Sequence, residues 1–152
     1  MQNRIYTPPG GPPQVSAPSL FAKTGEANLV RLSESFYNLL AQSEIAGLFP
    51  EDKTGLRAAA HRQADFLTGI LGGPPRYREK HGPPRMRARH LPFAIDENAR
   101  QVWLSCFRAA LGDGSAYGLS RGEADLLLDW LTAFSAWMVN RPPEKDSPLQ
   151  AN

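Results

Sequence analysis

The sequence predicts an all-α fold, on three observations. Apolar residues recur at helical spacing in four long stretches, proline and glycine punctuate the gaps, and nothing alternates convincingly with period two. The chain has 152 residues, including 14 prolines and 13 glycines, which is one domain's length with room for a real core. Its net charge of +2 is too small to imply a nucleic-acid partner without a concentrated patch. Cys106 is the single cysteine, so no intrachain disulfide forms and a reducing compartment fits. The start has no apolar signal-peptide core, and no apolar run approaches the ~20 residues of a membrane helix. A soluble, cytoplasmic protein without a membrane or nucleic-acid partner is expected.

Residues 1–18 are rich in proline and glycine with few large apolar groups, and are expected to form a flexible arm. The first helix spans Glu26–Gln42, with Leu29, Val30, Leu32, Phe36, Tyr37, Leu39 and Leu40 on its stripe and Thr24 as its cap. Ser43–Phe49 forms a short turn or 3₁₀ piece before Pro50. The second helix starts at Thr54, turns Leu56, Ala59, Ala60, Gln63, Phe66, Leu67, Ile70 and Leu71 inward, and leaves Arg57, Arg62 and Asp65 nearer solvent. Gly72–Gly73–Pro74 ends it. Asp96 caps a helix through Leu111 with Trp103, Phe107 and Ala110 on one side. After a loop at 112–118, Ser120–Val139 is the last long helix, apolar around much of its circumference. Residues 19–140 thus form the domain, and 141–152 a flexible tail.

The stretch GGPPRYREKHGPPRMRARHLPF, residues 72–93, organises the chain. Its prolines and glycines divide it into a loop, a short helix no longer than Pro84–Leu91, and a stop. His90 sits in the last turn of that helix, and the carbonyl of Met86, four residues earlier, is free to orient its imidazole. A lone histidine ending a helix is more often structural than a ligand. No HExxH or CxxC accompanies it, so zinc is not expected. One single-histidine metal chemistry remains, haem iron, because the macrocycle brings its other ligands with it. Six cations cluster here: Arg76, Arg78, Lys80, Arg85, Arg87 and Arg89. Taken alone they favour a rival, a haem-free helical adaptor binding nucleic acid or an acidic partner.

Three segments, SFYNLLAQSEIAGLFPED, FLTGILGGPPRYREKHGPPRMRARHLPF and RQVWLSCFRAAL, carry a resemblance in their order and spacing. From about Leu20 to Asn140 the chain resembles the group II truncated haemoglobins. The resemblance implies a two-over-two helical sandwich around haem b, with His90 as the iron ligand, its second charge disfavoured by Arg87 and Arg89 and its ring oriented by the Met86 carbonyl. It places Phe36, Phe49 and Phe93 against the cofactor. Arg62, Tyr77 and Arg89 become partners for the propionates, with Arg87 as a substitute. On the ligand side it places Tyr37, Gln63 and Trp103 as hydrogen-bond donors and Ala59 as an open, donor-free gate. Phe49 stands where many members have tyrosine and Gln63 where many have leucine, so the polar network departs from the common pattern. His61, about 200° around the helix from Ala59 and Gln63, and His81 are read as surface residues. Cys106 is read as a small buried hydrophobe.

Two haem functions follow as expectations: reversible binding of oxygen or a related diatomic ligand, or redox catalysis on nitric oxide or peroxide. Catalysis requires a separate electron donor, because the chain carries no flavin or nicotinamide motif. The expected assembly is a monomer or homodimer.

Overall fold

The computed structural model describes residues 5–13 and 19–142, and among them the regular structure is helical throughout. The helices are α1 (Phe21–Leu40), α2 (Lys53–Ile70), α3 (Arg76–His81), α4 (Met86–His90), α5 (Glu97–Leu111) and α6 (Arg121–Met138), with 3₁₀ turns at Ala46–Leu48 and Ser115–Tyr117. They form a two-over-two sandwich: α1 packs on α2, α5 packs on α6, and α1 joins the pairs by lying against α5. The expected tail beyond residue 142, and residues 1–4 and 14–18 of the expected arm, lie outside the described residues. No described helix is long and apolar enough to cross a membrane.

The helical stripes are what draw the pairs together. On α1, Leu29, Leu32, Phe36 and Leu40 recur at three- and four-residue spacing and are fully buried. They meet Leu67 and Leu71 from the end of α2, Leu104, Phe107 and Leu111 from α5, and Leu127 and Leu131 from α6. Burying each such side chain contributes about 1.5–3 kcal/mol before entropy is counted. Thr68 on the buried face of α2 satisfies its hydroxyl by donating to the Ala64 carbonyl at 2.8 Å.

Helix starts follow side-chain chemistry. Asp52 caps α2 by accepting from the Gly55 N–H at 2.8 Å, and Asp96 caps α5 through the Ala99 N–H at 2.8 Å. At α6, the Ser120 hydroxyl accepts from the Glu123 N–H while the Glu123 carboxylate accepts from the Ser120 N–H, a reciprocal capping box. The start of α1 departs from expectation. It begins at Phe21, with Gly25 at φ 70° and ψ 167° breaking the helical path. Thr24 does not cap the stretch after this kink; it is buried and donates its hydroxyl to the Phe21 carbonyl.

The 72–93 segment holds more structure than the sequence led us to expect. Gly73 needs its missing side chain, because a Cβ there would sit 2.6 Å from the Phe21 ring. Beyond it, residues expected to form a loop make α3, since Pro74 and Pro75 precede the helix, where a missing N–H costs nothing. Helix α3 delivers Lys80 to Asp65 at 3.1 and 3.3 Å. Asp65 is accordingly only 7% exposed, a correction to its expected place nearer solvent. The next helix falls within its expected limits of Pro84–Leu91. Arg85 adopts a left-handed conformation, φ 40° and ψ 50°, and α4 begins only at Met86. The described part of the arm is tied to this region, where the Tyr6 N–H donates to the Asn140 carbonyl at 3.0 Å.

Replacing Ser120 with Ala should lower unfolding free energy in urea by about 1 kcal/mol, the usual worth of such a cap. The Lys23 ammonium and the Ser120 N–H hold the Glu123 carboxyl below its ordinary range. Its stabilisation is therefore present above the unfolded pKa and lost as pH falls through the folded one. Wild type and Glu123→Gln should converge in stability on acidification, as read by urea melts from neutral pH down through the carboxylate range.

Candidate functional site

A cavity of about 520 Å³ opens among α1, the turn after it, α2, α4 and the facing sides of α5 and α6. Among the sequence-proposed residues it is lined by Tyr37, Phe49, Ala59, Arg62, Gln63, Tyr77, Met86, His90, Phe93 and Trp103. Its remaining wall is largely apolar, with Ile45, Leu48, Phe66, Ile95, Phe134 and Met138.

His90 reaches this cavity from the end of α4. Its Nδ1 lies 2.7 Å from the Met86 carbonyl oxygen, a contact that places the proton on Nδ1 and leaves the Nε2 lone pair free. Burial pushes the imidazole pKa below its ordinary value, and the Arg89 charge adds to this, against the opposing pull of the Met86 carbonyl. A neutral, oriented imidazole facing an apolar cavity is the donor chemistry that haem iron requires. The site therefore fits a flat macrocycle that carries its other metal ligands with it.

Tyr37 faces the same cavity from α1. Burial raises its phenol to about 12, against the lowering influence of the Arg62 guanidinium. At neutral pH it is therefore a hydroxyl and can donate. Its ring meets Phe49 edge-on at 5.8 Å and Phe36 edge-on at 5.3 Å. Phe36 is fully buried and is not part of the cavity lining. It also holds Trp103, edge-on at 5.3 Å, and Phe107, at 4.6 Å. One phenylalanine therefore supports both aromatic donors. Gln63 lines the cavity while its amide Nε2 reaches Ser33 Oγ on α1 at 3.3 Å, which leaves one amide N–H uncommitted.

The cations sort differently from the expectation. Arg62 and Tyr77 line the cavity, but Arg87 and Arg89 do not. The Arg87 guanidinium donates to the carbonyls of Trp137, Val139 and Tyr6 and lies 5.0 Å over the Trp137 ring. Arg89 donates to the carbonyls of Pro84, His81 and Pro83 and lies over the Tyr77 ring. Arg76 pairs with Glu26, and Lys80 with Asp65. Four of the six cations thus serve the fold of the segment itself. His61 and His81 are exposed, and Cys106 is half-buried with its thiol pKa raised by burial.

One polar group in the wall escaped the sequence reading. Arg100 lines the cavity, donating to Ser135 Oγ at 3.0 Å, to the Thr132 carbonyl at 2.9 Å and to Glu97. Its position four residues after the Asp96 cap puts it one turn into α5, on the face toward α6. No motif marks an arginine that points inward because a neighbouring helix offers it a carbonyl and a hydroxyl. Phe134 and Met138 were also missed. Their four-residue spacing on α6 was visible, but that helix is apolar on so many sides that its cavity-facing stripe did not stand out.

Replacing Phe36 with Ala should cost about 3–5 kcal/mol through the cavity it leaves. It should also release Tyr37 and Trp103 together. Near-ultraviolet circular dichroism should lose its aromatic signal before the far-ultraviolet helix signal changes.

The model of the bacterial-like globin family matches residues 19–140. The group 2 truncated haemoglobin YjbI of Bacillus subtilis is 38% identical over 123 residues, spanning 80% of this chain and 89% of that protein. Among solved structures, Hell's gate globin IV superposes with a TM-score of 0.77 at 36% identity, covering 91% of this chain and 89% of its own. A truncated oxygen-avid haemoglobin from Bacillus subtilis superposes at 0.70 with 38% identity, covering 79% and 98%. The group II truncated haemoglobin of Bacillus anthracis gives 0.73 at 35% identity, covering 83% and 94%.

Proposed function

The chain belongs to the bacterial-like globin family as a group II truncated haemoglobin, a haem b protein that binds oxygen and other diatomic ligands, and from that premise we propose how its residues do so. The contact between His90 Nδ1 and the Met86 carbonyl carries the reading. It leaves Nε2 as a neutral, directed donor at the wall of a cavity whose other side holds Tyr37, Gln63 and Trp103.

Haem, when bound, supplies an iron that coordinates the diatomic ligand. His90 Nε2 is the iron ligand from the protein. Arg62 offers a guanidinium and Tyr77 a hydroxyl to the propionates, while the carbonyl-engaged Arg87 and Arg89 act indirectly by shaping the segment. Tyr37 keeps its proton far above neutral pH and would offer its O–H as a hydrogen-bond donor to a bound ligand. Trp103 adds an indole N–H that donates and cannot accept. Gln63 contributes its uncommitted amide N–H. Ala59 contributes only a methyl group and keeps the approach unobstructed.

The same donors would also hold a ligand on its way to reduction or oxidation. Tyr37, Phe36 and Trp103 form a contiguous set of rings, and the oxidisable phenol and indole within it favour a redox role as the second reading. Such turnover requires an external electron donor. The Bacillus subtilis relative described as oxygen-avid supports the first reading, tight ligand binding. We place this work in the globin domain of residues 19–140, as a cytoplasmic monomer or homodimer, with residues 1–18 as an appended arm.

Replacing His90 with Ala should abolish stable haem retention, seen as loss of the Soret band on gel filtration; an unchanged band would refute the assignment. Tyr37→Phe combined with Trp103→Phe should speed oxygen release by roughly 10–100-fold, at about 1.5–3 kcal/mol of charge-assisted hydrogen bonding lost. Stopped-flow release rates equal to wild type would mean that neither side chain donates.

A further inference from the structure

Helix α4 cannot aim His90 by itself. It has five residues, enters from a left-handed Arg85 and lacks a side-chain cap, and so short a helix has no stability of its own. Something outside it must hold the histidine's main chain. The candidate lies at the exit of α6, 50 residues further along the chain.

Asn140 is fully buried there, and its amide is spent chiefly on the segment that begins at His90. Its Nδ2 donates to the carbonyl oxygen of His90 at 3.2 Å and to that of Phe93 at 2.9 Å. Its Oδ1 accepts from the Ile95 N–H at 3.0 Å and from Arg141 at 3.3 Å. The main chain continues the clamp, since the Asn140 N–H donates to the Ile95 carbonyl at 2.9 Å. Three residues before His90, Arg87 is pinned to the carbonyls of Trp137 and Val139. His90 therefore sits between two anchors that share one landing place, the last turn of α6 and the residues just after it.

We propose that Asn140 is a positioning residue for the iron ligand: its carboxamide fixes the His90 peptide and thereby the direction of Nε2. The chemistry selects an amide. The site asks for two donors and an acceptor on one short planar group, and among side chains of this size only asparagine supplies them. An aspartate at this position would have the same shape and no donor, setting a carboxylate against two carbonyl oxygens. Asn140→Asp is thus a shape-preserving test. Asn140→Ala removes all four side-chain bonds and takes these partners from the Phe93 carbonyl and the Ile95 N–H, while the His90 carbonyl keeps only the Phe93 N–H at 2.9 Å. Phe93 and Ile95, held by the same amide, line the cavity, so the clamp also sets the wall beside the ligand.

The inference rests on the reading of His90 as the iron ligand, and the experiment separates the two. The full-length holoprotein would be prepared as wild type, Asn140→Asp, Asn140→Ala, Ser120→Ala and His90→Gly. For each, the rate of haem transfer to excess apomyoglobin and the iron–histidine stretching band of the reduced protein would be measured, beside the melting temperature. Both Asn140 variants should lose haem about tenfold faster or more, with a shifted or broadened band. Ser120→Ala, which destabilises α6 at its far end, should leave the band and the transfer rate near wild type. Asn140 variants that match wild type or Ser120→Ala in both readouts would overturn the proposal. Should Asn140→Ala not fold, Asn140→Asp decides. A His90→Gly protein with wild-type haem retention would instead overturn the ligand assignment beneath it, whereas haem loss in His90→Gly with unchanged Asn140 variants would sink only the clamp.

Discussion

A neutral imidazole held in one direction is the constraint on which the rest of this structure depends. Burial alone would keep His90 neutral, but a buried imidazole with no partner leaves its N–H unsatisfied and its ring free to turn. The Met86 carbonyl removes both problems, taking the N–H and fixing the tautomer. A carbonyl oxygen has two lone pairs, so it can serve the imidazole as well as the main chain of α4. The short helix is a result of the prolines around it. A short helix in turn needs outside support, which is why so much of the surrounding segment is hydrogen-bonded to carbonyls of other elements.

The opposite wall obeys a different rule. A polar side chain on a cavity wall can be held rigid without spending its polar atoms, whereas a hydroxyl or indole already satisfied elsewhere has nothing to offer. Tyr37 and Trp103 achieve this by packing on their rings alone, edge-on against a fully buried Phe36 that has no polar atom to compete. Aromatic edge-to-face pairs add about 0.5–1.5 kcal/mol beyond burial and fix ring planes as well as positions. Gln63 follows a mixed strategy, using Ser33 to fix its amide while retaining an N–H. Packing and hydrogen-bonding capacity are therefore carried by different atoms of the same residues.

What was legible in the sequence was whatever depends on local spacing. The stripes of α1 and α2, the cap at Asp96, the double-glycine turn and the i, i+4 relation of Met86 to His90 are all statements about neighbours along the chain. The illegible parts depend on partners far away. Arg87 and Arg89 looked like cations waiting for propionates, because a guanidinium says nothing about the carbonyls it will meet. Asp65 sat on what looked like the solvent side of its helix until α3 brought Lys80 across it. Asn140, the last residue of the resemblance, carried no motif, and its amide bonds reach a segment that no periodicity connects to α6.

The sorting of the cations also bears on what the basic segment is for. Six positive charges between Arg76 and Arg89 resemble a surface built for an anionic partner. Four of them are engaged within the protein, with Glu26, Asp65 and a series of main-chain carbonyls. Proline explains the need. Each proline removes an N–H from the main chain, and each irregular turn leaves carbonyls without helical partners. In a segment so rich in both, arginine is the side chain that can satisfy several carbonyls at once, with five N–H donors in a planar fork. For Arg87 and Arg89 the positive charge is a by-product of that hydrogen-bonding demand, whereas Arg76 and Lys80 pair with carboxylates.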